Sequence, residues 1–250
     1  MDLYEAFGLS PGSIVAAVGG GGKTSLVYAL GYEAAARGFS AIITSTTRFT
    51  RPAGIPMPPI IESTDAALAG DVARALAPGT VHVASAGEAT RGRLAGFAPE
   101  SIDALAALAP GLIAVEADGS GRRPFKAPAD HEPAIPRSAT DVVVCVGLEV
   151  LGHALEADRV HRPEIVARLA GSFPGAIVTA ATIVRVLLHE AGGRKNVPPG
   201  ARLHALLNGP RTEEHEKLGA HIAERLVYGG YHRAVVATAH RPGDIRAVVR

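Results

Sequence analysis

The chain has a single cysteine, no tryptophan and only 4% aromatic residues among its 250 positions. One cysteine cannot form an intrachain disulfide, so the fold must rest on packing, and a reducing compartment is expected. That residue, Cys145, lies inside the apolar run 142–146 and reads as a buried strand thiol rather than a nucleophile. Neither charge sign is in excess: 25 Lys and Arg against 24 Asp and Glu leave a formal net charge of +1. There is therefore no basic field to wrap nucleic acid and no polybasic run to hold a membrane surface. No stretch approaches 18 uninterrupted apolar residues, so no bilayer-spanning helix is expected. The N-terminal MDLYEAFGLSPGS has acidic residues and no long apolar core, so no secretory signal is expected and a soluble, cytoplasmic protein is. The ten histidines show no zinc-ligand spacing. A chain of this length buries about 70–75% of its unfolded surface and needs no metal or disulfide staple.

The stretch SIVAAVGGGGKTSLVY at 13–28 organises what is present. An apolar run ends in Gly19, Gly20, Gly21 and Gly22, followed by Lys23, Thr24, Ser25 and a helical pattern. Strand, phosphate loop and helix are expected in that order, with glycines where backbone N–H groups must turn inward around a phosphate. Lys23 is placed to reach β- and γ-phosphates, and the Thr24 hydroxyl to ligate Mg²⁺ at the positive end of the helix. The usual Gly-x-x-x-x-Gly-Lys-Ser/Thr spacing would need a glycine at position 17, where Ala17 stands. The shorter core Gly19-x-x-Gly22-Lys23-Thr24 is intact and also resembles the loop of Mur-type ligases.

Downstream, strands are predicted at 41–44, 81–84, 112–115, 141–146, 201–207 and, as the last, 232–237. Helices are predicted at 2–8, 24–37, 65–77, 99–108, 180–189 and 213–226, with another opening at 160–164. The alternation gives an α/β chain with a wound, mostly parallel sheet, read as one domain over 1–250 with loop insertions around 48–60, 88–98 and 119–137. The run 88–97, with Arg91 and Arg93, has no clear period and reads as a surface excursion, with a substrate lid as the lesser alternative.

Three stretches supply the chemistry. Thr44-Ser45-Thr46-Thr47-Arg48 ends the second strand, where Thr46 and Thr47 would line the γ-phosphate, and Arg48 and Arg51 follow in a loop rich in proline, with Pro52, Pro56, Pro58 and Pro59. Glu116-Ala117-Asp118-Gly119 ends another strand, and either carboxylate supplies the hard oxygen that Mg²⁺ requires. SGRRPFKAPADHEPAIP at 120–136 concentrates Arg122, Arg123 and Lys126 beside those acids, a cationic loop suited to transition-state charge or an anionic second substrate. His131-Glu132 could add proton transfer there, and His161 and Arg162 either face the site or cap a helix. Near the C-terminus Asn208 stands where GTPase-like proteins carry an Asn-Lys-x-Asp element that reads guanine. Gly209 and Arg211 replace its Lys and Asp, so the nucleotide is left as ATP or GTP.

Together, Val18-Gly-Gly-Gly-Gly-Lys-Thr24, Thr44-Ser-Thr-Thr-Arg48, Glu116-Ala-Asp-Gly-Ser120, Lys126-Ala-Pro-Ala-Asp-His-Glu-Pro133, Val160-His-Arg-Pro-Glu164 and Leu206-Leu-Asn208 resemble the YqeC family of accessory proteins for selenium-dependent molybdenum hydroxylases. The likeness covers nearly the full length. It implies a three-layer αβα P-loop nucleoside-triphosphatase fold and a role in maturing a molybdenum hydroxylase or its cofactor. The leading expectation is thus a Mg²⁺-dependent enzyme that couples triphosphate hydrolysis or phosphoryl transfer to that maturation. In it Lys23, Glu116, Asp118, Arg122 and His131 carry the chemistry, and Arg48, Arg122, Arg123, Lys126, His131, His161 and Arg162 meet the second substrate or partner. A small-molecule kinase or ATP-dependent ligase is the first alternative, and a nucleotide-gated chaperone or scaffold with negligible turnover the second.

Overall fold

Alternate residues of strand β1 (Ser13–Gly19) belong to different cores: Ile14, Ala16 and Val18 pack on one face, Val15 and Ala17 on the other. A strand buried on both sides reads as a continuous apolar run, which is how this one appears in the sequence. The computed structural model describes residues 1–50, 56–90 and 92–250. Arg51, Pro52 and Arg91, named above, lie outside the described residues.

Helix α1 (Leu3–Phe7) precedes β1, and α2 (Lys23–Ala36) follows the glycine loop. Next come β2 (Ala41–Ser45), β3 (Arg48–Thr50), β4 (Ile60–Glu62), α3 (Leu68–Ala75) and β5 (Val81–Ser85). They are followed by β6 (Glu88–Thr90), β7 (Arg93–Ala95), α4 (Pro99–Asp103) and β8 (Leu112–Glu116). The rest comprises β9 (Phe125–Lys126), β10 (Asp141–Gly147), β11 (Val160–His161), α5 (Pro163–Ala170), α6 (Ala180–Leu188), β12 (Arg202–Asn208), α7 (Glu213–Tyr228), β13 (Arg233–Ala237) and β14 (Ile245–Val249).

The main sheet runs β14-β13-β12-β10-β1-β8-β2-β5-β4, parallel throughout except for β14. Helices α1 and α2 cover one face and α3 to α7 the other, so the α/β class and the mostly parallel wound sheet are as predicted. β1 and β8 are hydrogen-bonded neighbours, with Ala17 opposite Glu116. Their C-terminal ends therefore open on the same edge, and the glycine loop meets the strand-end acids.

Several elements depart from the prediction. The run 88–97 is a hairpin, β6 and β7, which joins β3 in a separate antiparallel sheet of order β3-β7-β6. Arg48 accordingly begins a strand rather than a loop. Strands β4 and β14 extend the main sheet at its two edges, where short, half-exposed segments carry too little apolar pattern to be found by periodicity. The helix expected over 65–77 begins only at Leu68, because Thr64 accepts from the N–H of Ala67 and Leu68 in a preceding turn. Half of the 99–108 helix is 3₁₀, over Ala104–Leu108. Among the described residues no helix is long and apolar enough to cross a membrane.

Candidate functional site

The glycine loop is packed closely against neighbouring backbone. A Cβ on Gly21 would lie 2.5 Å from the Gly147 nitrogen and 2.8 Å from the Pro124 oxygen, and Gly21 also has φ +74. No rotamer change relieves a clash with main chain, so the position is closed to every residue but glycine. The loop is pinned from below by the Gly20 N–H donating to Cys145 O at 2.9 Å and the Gly19 N–H donating to Asp118 Oδ2 at 2.9 Å. Above these anchors the N–H groups of Gly21, Gly22, Lys23, Thr24 and Ser25 find no protein acceptor among the described residues. The last three are the unpaired donors of the first turn of α2, so donors and helix dipole point the same way.

These residues wall a cavity of 430 Å³, closed by Glu116 at the end of β8, by Gly119 to Arg122, and by Arg48, Thr50 and Arg93 of the small sheet. Thr24 Oγ1 donates to Glu116 Oε2 at 2.8 Å across its floor. Burial pushes the Glu116 carboxyl up, against the opposing pull of the Lys23 charge and the Thr24 hydroxyl. A second cavity, of 610 Å³, lies on the far side of Gly21 between the ends of β10, β12 and β13. The two meet at Gly21.

Lys23 is only 3% exposed; its Nζ donates to Gly19 O at 2.6 Å and pairs with Asp118 Oδ1 at 3.2 Å. Burial alone would lower its affinity for a proton, but the carboxylates of Asp118 and Glu116 outweigh it and hold the ammonium above the usual lysine value. Asp118 lies among donors and does not line the 430 Å³ cavity. Its Oδ2 meets Lys126 Nζ at 3.1 Å, and Lys126 pairs in turn with Glu132 Oε2 at 2.7 Å. Arg162 closes the series with a two-pronged contact to Glu132, 2.6 Å to Oε2 and 3.1 Å to Oε1. The result is a line of alternating charge, Lys23, Asp118, Lys126, Glu132, Arg162, running from the glycine loop to the start of α5. Each inner charge has an opposite charge on both sides, which is how ions persist in a site with little water.

The other predicted residues fall in different places. Arg48, Arg122, Thr24, Ser25 and Glu116 line the 430 Å³ cavity with the loop. Lys126 and Arg162 belong to the ion line, while Thr46 and Thr47 have partners of their own: Thr46 Oγ1 donates to the main-chain Ala134 O at 2.8 Å, and the Thr47 N–H donates to the Ser45 side-chain Oγ at 2.9 Å. Arg123, His161 and His131 stand apart from the cavity. Arg123 Nε is bound to Ala157 O, His161 is partly buried on β11 with burial and the nearby Arg162 and Lys126 lowering its proton affinity, and the His131 side chain is 79% exposed on a turn. Asn208 has both side-chain atoms in use. Its Nδ2 donates to Gly21 O at 3.0 Å and its Oδ1 accepts from the Ala239 N–H at 2.9 Å, so it ties the glycine loop to the end of β13. Thr50 and Arg93 were not legible as site residues, because the three-residue alternation of Arg93-Leu94-Ala95 is too short a signal. Cys145 is buried, and burial pushes its thiol up, as a structural cysteine requires.

The family model described as "YqeC protein" matches residues 15–164, a span holding the glycine loop, both strand-end acids, the ion line and the small sheet. The chain belongs to the YqeC family. It is 35% identical, over 191 residues, to the "Uncharacterized protein YqeC" of Escherichia coli (strain K12), covering 76% of this chain and 73% of that one. No solved structure matches it. The YqeC match ends before Asn208, so the 430 Å³ cavity lies within the matched span while the 610 Å³ cavity is completed by residues beyond it.

Proposed function

We propose that the chain binds and turns over a Mg²⁺ nucleoside triphosphate. The phosphates would cross Gly21 from the 610 Å³ cavity, which takes the nucleoside, into the 430 Å³ cavity, which takes the terminal phosphate. The observation that carries this reading is the run of N–H groups from Gly21 to Ser25 without a protein acceptor beside the Lys23 ammonium. Unpaired main-chain donors facing a polar cavity lose free energy unless an anion or water meets them, and a phosphate meets several at once. Mg²⁺ fits the donor set on the cavity floor: Thr24 Oγ1 and the Glu116 carboxylate are adjacent hard oxygens. When bound it would neutralise phosphate charge there. Asp118 serves in a different way, by holding the Gly19 N–H and keeping Lys23 charged and poised at the loop.

The test is calorimetric titration with Mg²⁺-ATP and Mg²⁺-GTP, on the wild type and on Lys23→Ala. Wild type should bind at least one of them, and the variant should lose most of that affinity while its far-UV circular dichroism is unchanged. Equal affinity in a folded Lys23→Ala would overturn the assignment. As the biological setting we propose maturation of a molybdenum hydroxylase, on the family resemblance alone. A pull-down from the native cell with tagged protein, with and without nucleotide, tests it: absence of any such hydroxylase or its cofactor-assembly partners removes that setting and leaves the nucleotide chemistry standing.

A further inference from the structure

The small sheet β3-β7-β6 has no part in binding the nucleotide as described above, yet it forms a wall of the phosphate-side cavity. Phe49 and Leu94 are buried in the core beneath it, and strand alternation turns their neighbours outward. Arg48 and Thr50 therefore share the outer face of β3, and Arg93, directly opposite Thr50, joins them on that face. Across the cavity Arg122 sits in a turn closed by the Arg123 N–H donating to Ser120 O at 3.1 Å, with Gly121 and Arg122 both at positive φ. Two walls of different origin thus bring three arginines to one cavity.

None of these three guanidiniums forms an ion pair among the described residues, although Arg93 Nη2 donates to Arg48 O at 2.9 Å and its charge acts on Glu116 across the cavity. The contrast with the nucleoside-side cavity is informative, because Arg211 there pairs with Glu149 at 2.5 Å and Arg246 with Asp244 at 2.6 Å. A Mg²⁺-bound triphosphate already meets Lys23 and the main-chain donors of the loop, so three further cations exceed what its terminal phosphate needs. With the nucleoside housed on the far side of Gly21, the 430 Å³ cavity also keeps room beyond that phosphate, within the range of about 300–1,000 Å³ typical of small-molecule sites.

We propose that this cavity takes a second, small substrate bearing a carboxylate or phosphate group, held by Arg48, Arg93 and Arg122 next to the terminal phosphate of the nucleotide. The inference rests on the nucleotide reading given above. Guanidinium forks match both oxyanions in geometry, and the hydroxyls of Thr50 and Ser120, at the cavity or on its rim, add neutral partners for the rest of the molecule. The paired strands β3 and β7, which carry Arg48 and Arg93, are suited to holding an acceptor in register with the phosphate, which a free loop would do less well.

The experiment loads the protein with Mg²⁺ and a non-hydrolysable ATP or GTP analogue, whichever binds, and titrates it calorimetrically with inorganic phosphate, glycerol 3-phosphate, succinate and citrate. At least one of these probes should bind wild type, and the phosphate and carboxylate arms identify which oxyanion is preferred. Arg93→Ala and Arg48→Ala should each weaken that binding about tenfold or more, the loss expected for one charge-assisted contact, with nucleotide affinity changed less than about threefold. If nucleotide binds but none of the probes does, or if the arginine variants lose nucleotide rather than probe, the second-substrate site is refuted and the arginines serve the nucleotide alone. If wild type binds no nucleotide, both this inference and the proposed function fall together.

Discussion

Glu132 is the carboxylate on which the ion line turns, and replacing it with Gln offers a test whose size follows from the structure. Burial raises the Glu132 carboxyl, but the hydrogen bonds from Arg162 and Lys126 and the Lys126 charge overcome this and hold it down at about 2, against an ordinary 4.5. That difference corresponds to about 3.4 kcal/mol at about 1.4 kcal/mol per tenfold change in proton affinity. The Arg162 side chain is 22% exposed and water screens its share, so about 2 kcal/mol is the expected contribution to stability at neutral pH. Gln keeps the shape and one acceptor but not the charge, and leaves Asp118 as the one carboxylate paired with the buried Lys126 among the described residues, beside the Gly119 carbonyl. The sign follows from linkage: the group is depressed on folding, so its stabilisation is complete above about pH 5 and is lost as pH falls from 4.5 toward 2. Urea unfolding of both proteins from pH 7 to pH 3 measures this as a difference, in which every other titrating carboxylate cancels. The wild type should be about 2 kcal/mol more stable at pH 7, with the gap closing steadily below pH 4.5. A gap under about 0.5 kcal/mol at pH 7, or one that stays constant down to pH 3, would refute the argument that Glu132 is held ionised by Lys126 and Arg162.

Gly21→Ala should abolish nucleotide binding and lower the melting temperature, because its Cβ meets Gly147 and Pro124 main chain at a positive φ; strain of about 1–3 kcal/mol is expected, and a variant that melts and binds like wild type would contradict the loop geometry. Glu116→Gln should leave metal-free nucleotide affinity within about twofold while removing most of the gain that Mg²⁺ confers, as measured by titration with and without Mg²⁺; an unchanged Mg²⁺ effect would take Glu116 out of the metal site. Asn208→Ala should weaken ATP and GTP by a similar factor, since both side-chain atoms brace the loop and Ala239, whereas selective loss of one base would show that Asn208 reads the nucleobase. Cys145 should react with a thiol reagent only at the rate of unfolding, as a buried thiol held protonated, and rapid labelling of native protein would show that the β1–β10 region opens.

The legibility of each feature follows the range of the interactions that make it. The seven residues of β1, the glycines after it and the helix from Lys23 are local patterns, and their order alone predicts a phosphate-type loop. Buried parallel strands such as β8 and β10 show as apolar runs because both faces are covered, whereas β4 and β14 sit at edges and show almost nothing. Arg48 and Arg93 illustrate the limit for the site. They are separated by more than forty residues, and only the pairing of β3 with β7 sets them on one face.

Residue types and their spacing determined by themselves that this chain builds a two-sided sheet and carries a turn of glycines ending in Lys-Thr, because steric demands and hydrophobic periodicity act within a few residues of each other. Which charges stand free and which are neutralised was decided only by the tertiary structure. Lys126 and Arg162 look in sequence like the same kind of cation as Arg48 and Arg122, but folding sets Asp118 and Glu132 at ion-pair distance from the first pair, while among the described residues no carboxylate pairs directly with the second, which share their cavity with Glu116. Coulomb energy depends on separation in space, which a linear spacing does not contain.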